Sequence, residues 1–202
     1  MLYFLAEYFA KLEFLRSIYL RTFLAFVISF CIVLFAGKPF IKYLKVKKFG
    51  EEIRDDGPSS HFSKKGTPTM GGVLIIASVL LTSLLINDLA NKLILLVLVS
   101  MLMFAAIGFI DDYRKFTVSK KGLAGKKKLL FQGTIGLMVW AYLYYIGFTG
   151  RTMIDFSVIN PISAHPYYIG AIGMFVLIQL ILMGTSNAVN ITDGLDGLAI
   201  MP

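Results

Sequence analysis

The segment GFIDDYRK, residues 108–115, places two adjacent carboxylates, Asp111 and Asp112, directly after the apolar run LILLVLVSMLMFAAI. Neighbouring residues on a helix point about 100° apart. The pair would therefore not share one face, and one carboxylate could reach a metal while the other serves a different partner. Carboxylates are hard oxygen ligands suited to Mg²⁺, which keeps several waters and binds substrate phosphates through one or two of them. Acids beside hydrocarbon are costly and mark function by default, although nearby water at the edge of a span lowers that penalty. The C-terminal end of a helix also disfavours anions. A bound cation would offset this, and so would Arg114 and Lys115.

A second polar cluster is NAVNITDGLDGLA, residues 187–199. Asn187, Asn190 and Gly194 recur at helical spacing and share a face if the helix continues. Asp193-Gly194 and Asp196-Gly197 then favour turns that lift carboxylates and backbone amides into a shared cavity. The acid spacing is not that of an EF-hand loop, and the closing Glu is missing, so calcium is excluded. A third cluster is KKGTPTMGG, residues 64–72. Two lysines beside backbone amides at a helix start suit a phosphate. Gly71 and Gly72 would let a helix or ligand approach closely. The plainer reading is a loop-to-helix junction with Pro near the first turn.

These clusters need elements to position them. The chain has 202 residues and is 57% hydrophobic, with a mean hydropathy of +0.75; soluble domains are nearer about 45–50% apolar. Several apolar runs approach the ~20 residues that cross a hydrocarbon core of roughly 30 Å. The expected fold is all-α, a polytopic transmembrane helical bundle. Spans are predicted at 20–42, 69–87, 92–110, 129–148 and 167–186, with residues 198–202 starting a sixth. The chain reads as one membrane domain over 1–202, the front part of a longer protein, with no soluble domain and no repeat. Its opening stretch lacks a basic start and is interrupted by Glu7, Lys11, Glu13 and Arg16, which fits an interfacial helix better than a signal peptide. The single Cys31 excludes a disulfide framework. Tyr142, Tyr144 and Tyr145 suit an interfacial anchor at the outer end of a span.

The net charge of +8 matters through its placement. One basic segment runs from Lys42 to Lys65 and another from Arg114 to Lys128, whereas the opposite connections hold only Lys92 and Arg151. The excess of Lys and Arg marks the cytoplasmic side. Loops 43–68, 111–128 and 187–197 are thus predicted to be cytoplasmic and the N-terminus outside. The plain reading of the lysines is this orientation signal, with attraction to anionic membrane lipids. On that map the three polar clusters share one side and supply acids for a metal, lysines for phosphates and turns for a nucleotide. Phosphoryl transfer needs little beyond positioning and charge neutralisation. An ion-coupled transporter would set its acids near the midplane, and a non-catalytic scaffold leaves the clusters unexplained. No nucleic-acid partner is expected.

KKGTPTMGG, GFIDDYRK and NAVNITDGLDGLA, in that order, together with EEIRDDGPSSHFSKKGTPTMGG, resemble the bacterial phospho-N-acetylmuramoyl-pentapeptide-transferase family. That family lies within the polyprenyl-phosphate N-acetylhexosamine-1-phosphate transferases (glycosyltransferase 4), and the resemblance covers the whole chain. It implies transfer of the phospho-sugar from UDP-N-acetylmuramoyl-pentapeptide to undecaprenyl phosphate. The products are lipid I and UMP, the cofactor is Mg²⁺, and the setting is the bacterial inner membrane. A related enzyme using UDP-N-acetylglucosamine is the alternative. By motif, Asp111 and Asp112 match the acidic pair, with Asp112 at the metal and Asp111 a candidate to activate the lipid phosphate. Asp193 joins the metal set and, with Asn187 and Asn190, lines the cleft. Gly194, Leu195 and Asp196 lie around the uridine, with Lys64, Lys65 and Thr69 in the same substrate set, and Lys115 and Lys121 meet phosphates. Direct attack and a phospho-enzyme on an aspartate both remain open. Family members have about ten spans, each about 20 residues long. The resemblance also implies a homodimer when full length, and a further aspartate and a histidine-rich loop beyond residue 202. His61 and His165 do not substitute for these. The 202-residue chain alone is expected to be inactive; UMP release by the purified chain would overturn this.

Overall fold

The computed structural model describes residues 14–15, 17–47, 70–117, 122–148, 153–154 and 167–192. Five helices dominate: α1 (Ile18–Val46), α2 (Gly72–Ile86), α3 (Lys92–Thr117), α4 (Gly125–Tyr145) and α5 (Gly170–Thr192). Among the described residues the chain is all-α apart from a two-residue antiparallel pair, β1 (Met153–Ile154) with β2 (Tyr167–Tyr168), which pairs Met153 with Tyr168 and Ile154 with Tyr167. The described helices divide between two compact units, Met1–Leu123 and Ala124–Pro202.

In the first unit α1 packs on α2, and α2 on α3. The Ser78 hydroxyl on α2 donates to the Ser29 carbonyl of α1 at 3.1 Å. Around that contact Ser78, Thr82 and Ile86 are buried. The rest of α1 presents Phe23, Phe26, Phe30 and Phe35 outward. Such a surface is costly in water and suited to lipid, where only structures with internally satisfied backbones are stable. α3 begins on Asn91, whose Oδ1 accepts from the Leu93 and Ile94 amides at 2.9 and 3.4 Å. A cap of this kind contributes about 1 kcal/mol.

In the second unit α4 and α5 pack against each other. At one end the Trp140 indole N–H donates to the Ala171 carbonyl at 2.8 Å. The same ring meets Phe175 edge-on, with centroids 5.5 Å apart, and stacks on Tyr144. Tyr144 and Tyr145 are exposed, the arrangement expected of anchoring aromatics. α4 stops here because Gly147 takes a left-handed φ of +77°. Its amide bonds the Tyr144 carbonyl and the Phe148 amide the Leu143 carbonyl, closing a Schellman motif.

Helices occur at all five predicted positions, but their limits and membrane fitness differ. By length and composition, three described helices can cross a membrane: α1, the Lys92–Lys115 part of α3, and α5. α2 is apolar but has only 15 residues, about 22 Å of rise. It starts at Gly72 because Met70 adopts a φ of 69°, which ends helical continuity. α4 starts at Gly125, ahead of the predicted 129, because Lys126, Lys127 and Lys128 join its first turn and lysine is a good helix former. α3 outlasts its predicted end at residue 110 by seven residues, to Thr117. Arg114 and Lys115 in its last turn complement the helix dipole.

Candidate functional site

The longer α3 changes the setting of the acidic pair. Asp111 and Asp112 lie within the helix rather than just past it. Lys115 is one turn further on and is reached by both, from Asp111 at i,i+4 and from Asp112 at i,i+3. Its Nζ is 3.2 Å from Asp111 Oδ2 and 3.0 Å from Asp112 Oδ1. The two carboxylates therefore converge on one cation although their Cα–Cβ bonds diverge. Of the two offsets to the helix dipole anticipated from the sequence, Lys115 acts here.

The two acids are held differently. Asp111 is buried, and its Oδ1 also accepts the Leu123 backbone N–H at 2.7 Å. That amide is brought back over α3 by Gly122, which takes a φ of +65°. A Cβ on Gly122 would stand 2.6 Å from Asp111 Oδ1 and 3.1 Å from the Lys115 chain. Both Asp111 oxygens are thus engaged. Asp112 is half-exposed, with Lys115 on Oδ1. The arrangement makes Asp111 a fixed charge and Asp112 the more open carboxylate. Carboxylates that already share one cation fit Mg²⁺, which needs only one or two of them and fills its other positions with water and phosphate oxygens. No group of three His, Cys, Asp or Glu is gathered among the described residues. Asp193, the other metal candidate, lies outside them.

The second unit carries the asparagines. α5 continues beyond the predicted 186, so Asn187 and Asn190 both sit on it, one turn apart. Asn190 Oδ1 accepts from Lys128 Nζ of α4 at 3.0 Å. Asn187 Nδ2 donates to Gln132 Oε1 at 2.8 Å and to the Met183 carbonyl at 2.7 Å. Gln132 Nε2 donates in turn to Ser186 Oγ at 3.0 Å. Gln132 is fully buried.

Lys115, Asp111 and Asp112 are thus brought together in one unit, and Asn187 and Asn190 in the other. Lys64, Lys65, Thr69, Lys121, Asp193, Gly194, Leu195 and Asp196 lie outside the described residues, as do His61 and His165. At the KKGTPTMGG junction a Cβ on Gly71 or Gly72 would meet nothing within 4 Å, so no described helix approaches closely there. The Val73 and Leu74 amides bond the Met70 and Gly71 carbonyls, which commits them to the first turn of α2. Sequence reasoning passed over Lys128, counted only as part of a basic segment, and Gln132, counted only as part of a span. The signal was present: the two are four residues apart and share a face of α4. A polar amide inside an apolar helix also marks a hydrogen bond to a neighbouring helix.

Membrane-length helices with a paired carboxylate and a lysine–asparagine cluster near their ends define a polytopic membrane protein with polar chemistry at helix termini. A model described as glycosyl transferase family 4 matches residues 94–202, over half of the chain, and the chain belongs to that family. A motif described as phospho-N-acetylmuramoyl-pentapeptide-transferase signature 1 matches residues 64–76. The curated phospho-N-acetylmuramoyl-pentapeptide-transferase of Fusobacterium nucleatum subsp. nucleatum is 85% identical over 202 residues, covering all of this chain and 56% of that protein. The chain thus spans about half the length of the curated relative it matches.

Proposed function

We propose that the full-length protein transfers phospho-N-acetylmuramoyl-pentapeptide from its UDP-linked donor to undecaprenyl phosphate, giving lipid I and UMP. The observation that carries the reading is the convergence of Asp111 and Asp112 on one cation. It occurs in a chain 85% identical to a protein named for that transfer. In the reaction an oxygen of the lipid phosphate forms a bond to the sugar-bearing phosphorus of the donor. The bond from that phosphorus to the bridging oxygen breaks, and UMP leaves with the electron pair. A direct path and one through an aspartyl phosphate have the same balance.

The residues divide the work by exposure and charge. Asp112, the more open carboxylate, is the ligand for Mg²⁺, with Asp193 as a further ligand. Bound there, Mg²⁺ supplies neutralisation of charge on the phosphate oxygens. Asp111, fixed by the Leu123 amide, orients the attacking lipid phosphate. Lys115 lies within reach of both acids and, beside a bound metal, would offer its charge to a substrate phosphate. Lys128, held by Asn190, adds a second positive charge for the diphosphate. Asn187, Asn190 and Asp193 contribute polar groups to the binding of the donor. Lys64, Lys65, Thr69, Lys121, Gly194, Leu195 and Asp196 complete the substrate contacts. The lysine asymmetry supports a bacterial inner-membrane orientation with loops 43–68, 111–128 and 187–197 on the cytoplasmic face and the N-terminus outside; the family resemblance supports a single membrane domain and a homodimer when full length.

The test measures UMP release by the full-length protein with undecaprenyl phosphate and each of two donors, UDP-N-acetylmuramoyl-pentapeptide and UDP-N-acetylglucosamine. Turnover is expected with the first donor alone, lost on chelation and restored by Mg²⁺. Preference for the second donor, or release indifferent to chelation, would overturn the reading.

A further inference from the structure

Gln132 is the fully buried polar side chain of α4, and the proposed chemistry assigns it no role. The polarity of its surroundings follows from one fixed point. A backbone carbonyl only accepts, so the Met183 carbonyl 2.7 Å from the Asn187 amide must face nitrogen. The second N–H of that nitrogen then points to Gln132, which must turn its oxygen to receive it, at 2.8 Å. The Gln132 nitrogen is left to donate to Ser186 Oγ at 3.0 Å. Both N–H groups of Asn187 are consumed between α4 and α5, and its Oδ1 accepts no hydrogen bond among the described residues. Asn187 is half-buried, so that oxygen has a path outward. Lys128 lies one turn from Gln132 on α4, and Asn190 one turn from Asn187 on α5, so the cluster points toward the end where Lys128 and Asn190 meet.

We propose that Gln132 is a positioning residue that locks the Asn187 amide with both N–H groups inward, presenting Asn187 Oδ1 as an acceptor for an N–H or O–H group of the nucleotide-sugar donor. This rests on the transferase reading and adds to it a residue and a polarity. With Gln132 in place the site offers an oxygen and no competing donor at Asn187. A buried amide network with every donor satisfied is rigid, whereas an unpaired buried donor seeks another partner.

The experiment uses the full-length enzyme and reads two quantities, the equilibrium dissociation constant for UDP-N-acetylmuramoyl-pentapeptide and the rate of UMP release. Gln132→Met keeps length and packing but removes both polar atoms. Gln132→Glu keeps an acceptor for Asn187, and its carboxylate can also receive the Ser186 hydroxyl proton. Gln132→Met is expected to weaken donor binding about tenfold, with KM for undecaprenyl phosphate unchanged. Gln132→Glu is expected to restore binding to within about threefold of wild type. In an Asn187→Ala background Gln132→Met should add nothing, because the two act as one unit. Additive losses in that cycle, equal impairment by Met and Glu, or loss that only follows a lowered thermal midpoint would each overturn the proposal. Wild-type enzyme that binds donor but releases no UMP would instead overturn the transferase reading, while the binding cycle still decides the role of Gln132.

Discussion

With Asp112→Asn, UMP release by the full-length protein falls by on the order of 10³-fold or more, about 4 kcal/mol of barrier, while the protein stays folded. The two halves of this expectation have separate grounds. Folding is spared because the Asp112 side chain is 37% exposed and Lys115 44% exposed, joined at 3.0 Å. An ion pair that open to water contributes about 0–1 kcal/mol. Activity is lost because Asn keeps the shape but not the charge that holds a divalent cation against a diphosphate. Lys115 keeps Asp111 as a partner in the variant, so no buried charge is orphaned. The thermal midpoint in detergent should move by no more than a few degrees. Near-wild-type turnover would remove Asp112 from the metal, and a collapsed midpoint would refute the exposure argument.

Gly122→Ala produces the second large effect, through geometry rather than charge. The new Cβ would sit 2.6 Å from Asp111 Oδ1, inside van der Waals contact. The φ of +65° adds a backbone penalty of about 1–2 kcal/mol for an L-residue. Asp111 cannot simply swing aside, because Leu123 N–H at 2.7 Å and Lys115 Nζ at 3.2 Å hold its two oxygens. Either the turn lifts and the amide is lost, or the carboxylate moves. A displacement of about 1 Å at a reacting group can cost on the order of 10²-fold in rate, and a loss of that size is expected in kcat. Gly122→Asn separates the two causes, since Asn tolerates the left-handed region yet carries a Cβ. If Asn is impaired as severely as Ala, the contact with Asp111 is responsible. Wild-type kcat in both variants would show that the Gly122 turn does not set Asp111.

How much was legible in the sequence follows from the range of each interaction. Apolar run length is a local property, and it located all five helices, because a bilayer-scale hydrophobic stretch has few alternatives to a helix. Helix ends were less legible. The prediction closed α3 at residue 110 because hydropathy falls at Asp111, but the backbone does not respond to hydropathy. Lys115 stabilises both acids within the helix, which continues to Thr117. At α2 the reverse holds: the predicted span, 69–87, extends further than the helix, Gly72–Ile86, because the positive φ of Met70 keeps the helix from starting earlier.

The candidate site divides the same way. Residue types and spacing alone identified Asp111, Asp112, Asn187 and Asn190 as chemical groups, and by sequence resemblance tied them to a phospho-sugar transferase. The sequence offered Arg114 and Lys115 together as offsets to the acidic pair without deciding between them. Only tertiary structure decided that Asp111 is clamped and Asp112 open. That difference comes from an amide twelve residues away, delivered by the left-handed turn at Gly122. Likewise only the packing of α4 on α5 joins Lys128 to Asn190 and Gln132 to Asn187, across sequence separations of 62 and 55 residues. Local pattern reports what a residue can do chemically. Which hydrogen bonds it makes, and hence which of its atoms remain to act, depends on groups that only folding brings within 3 Å.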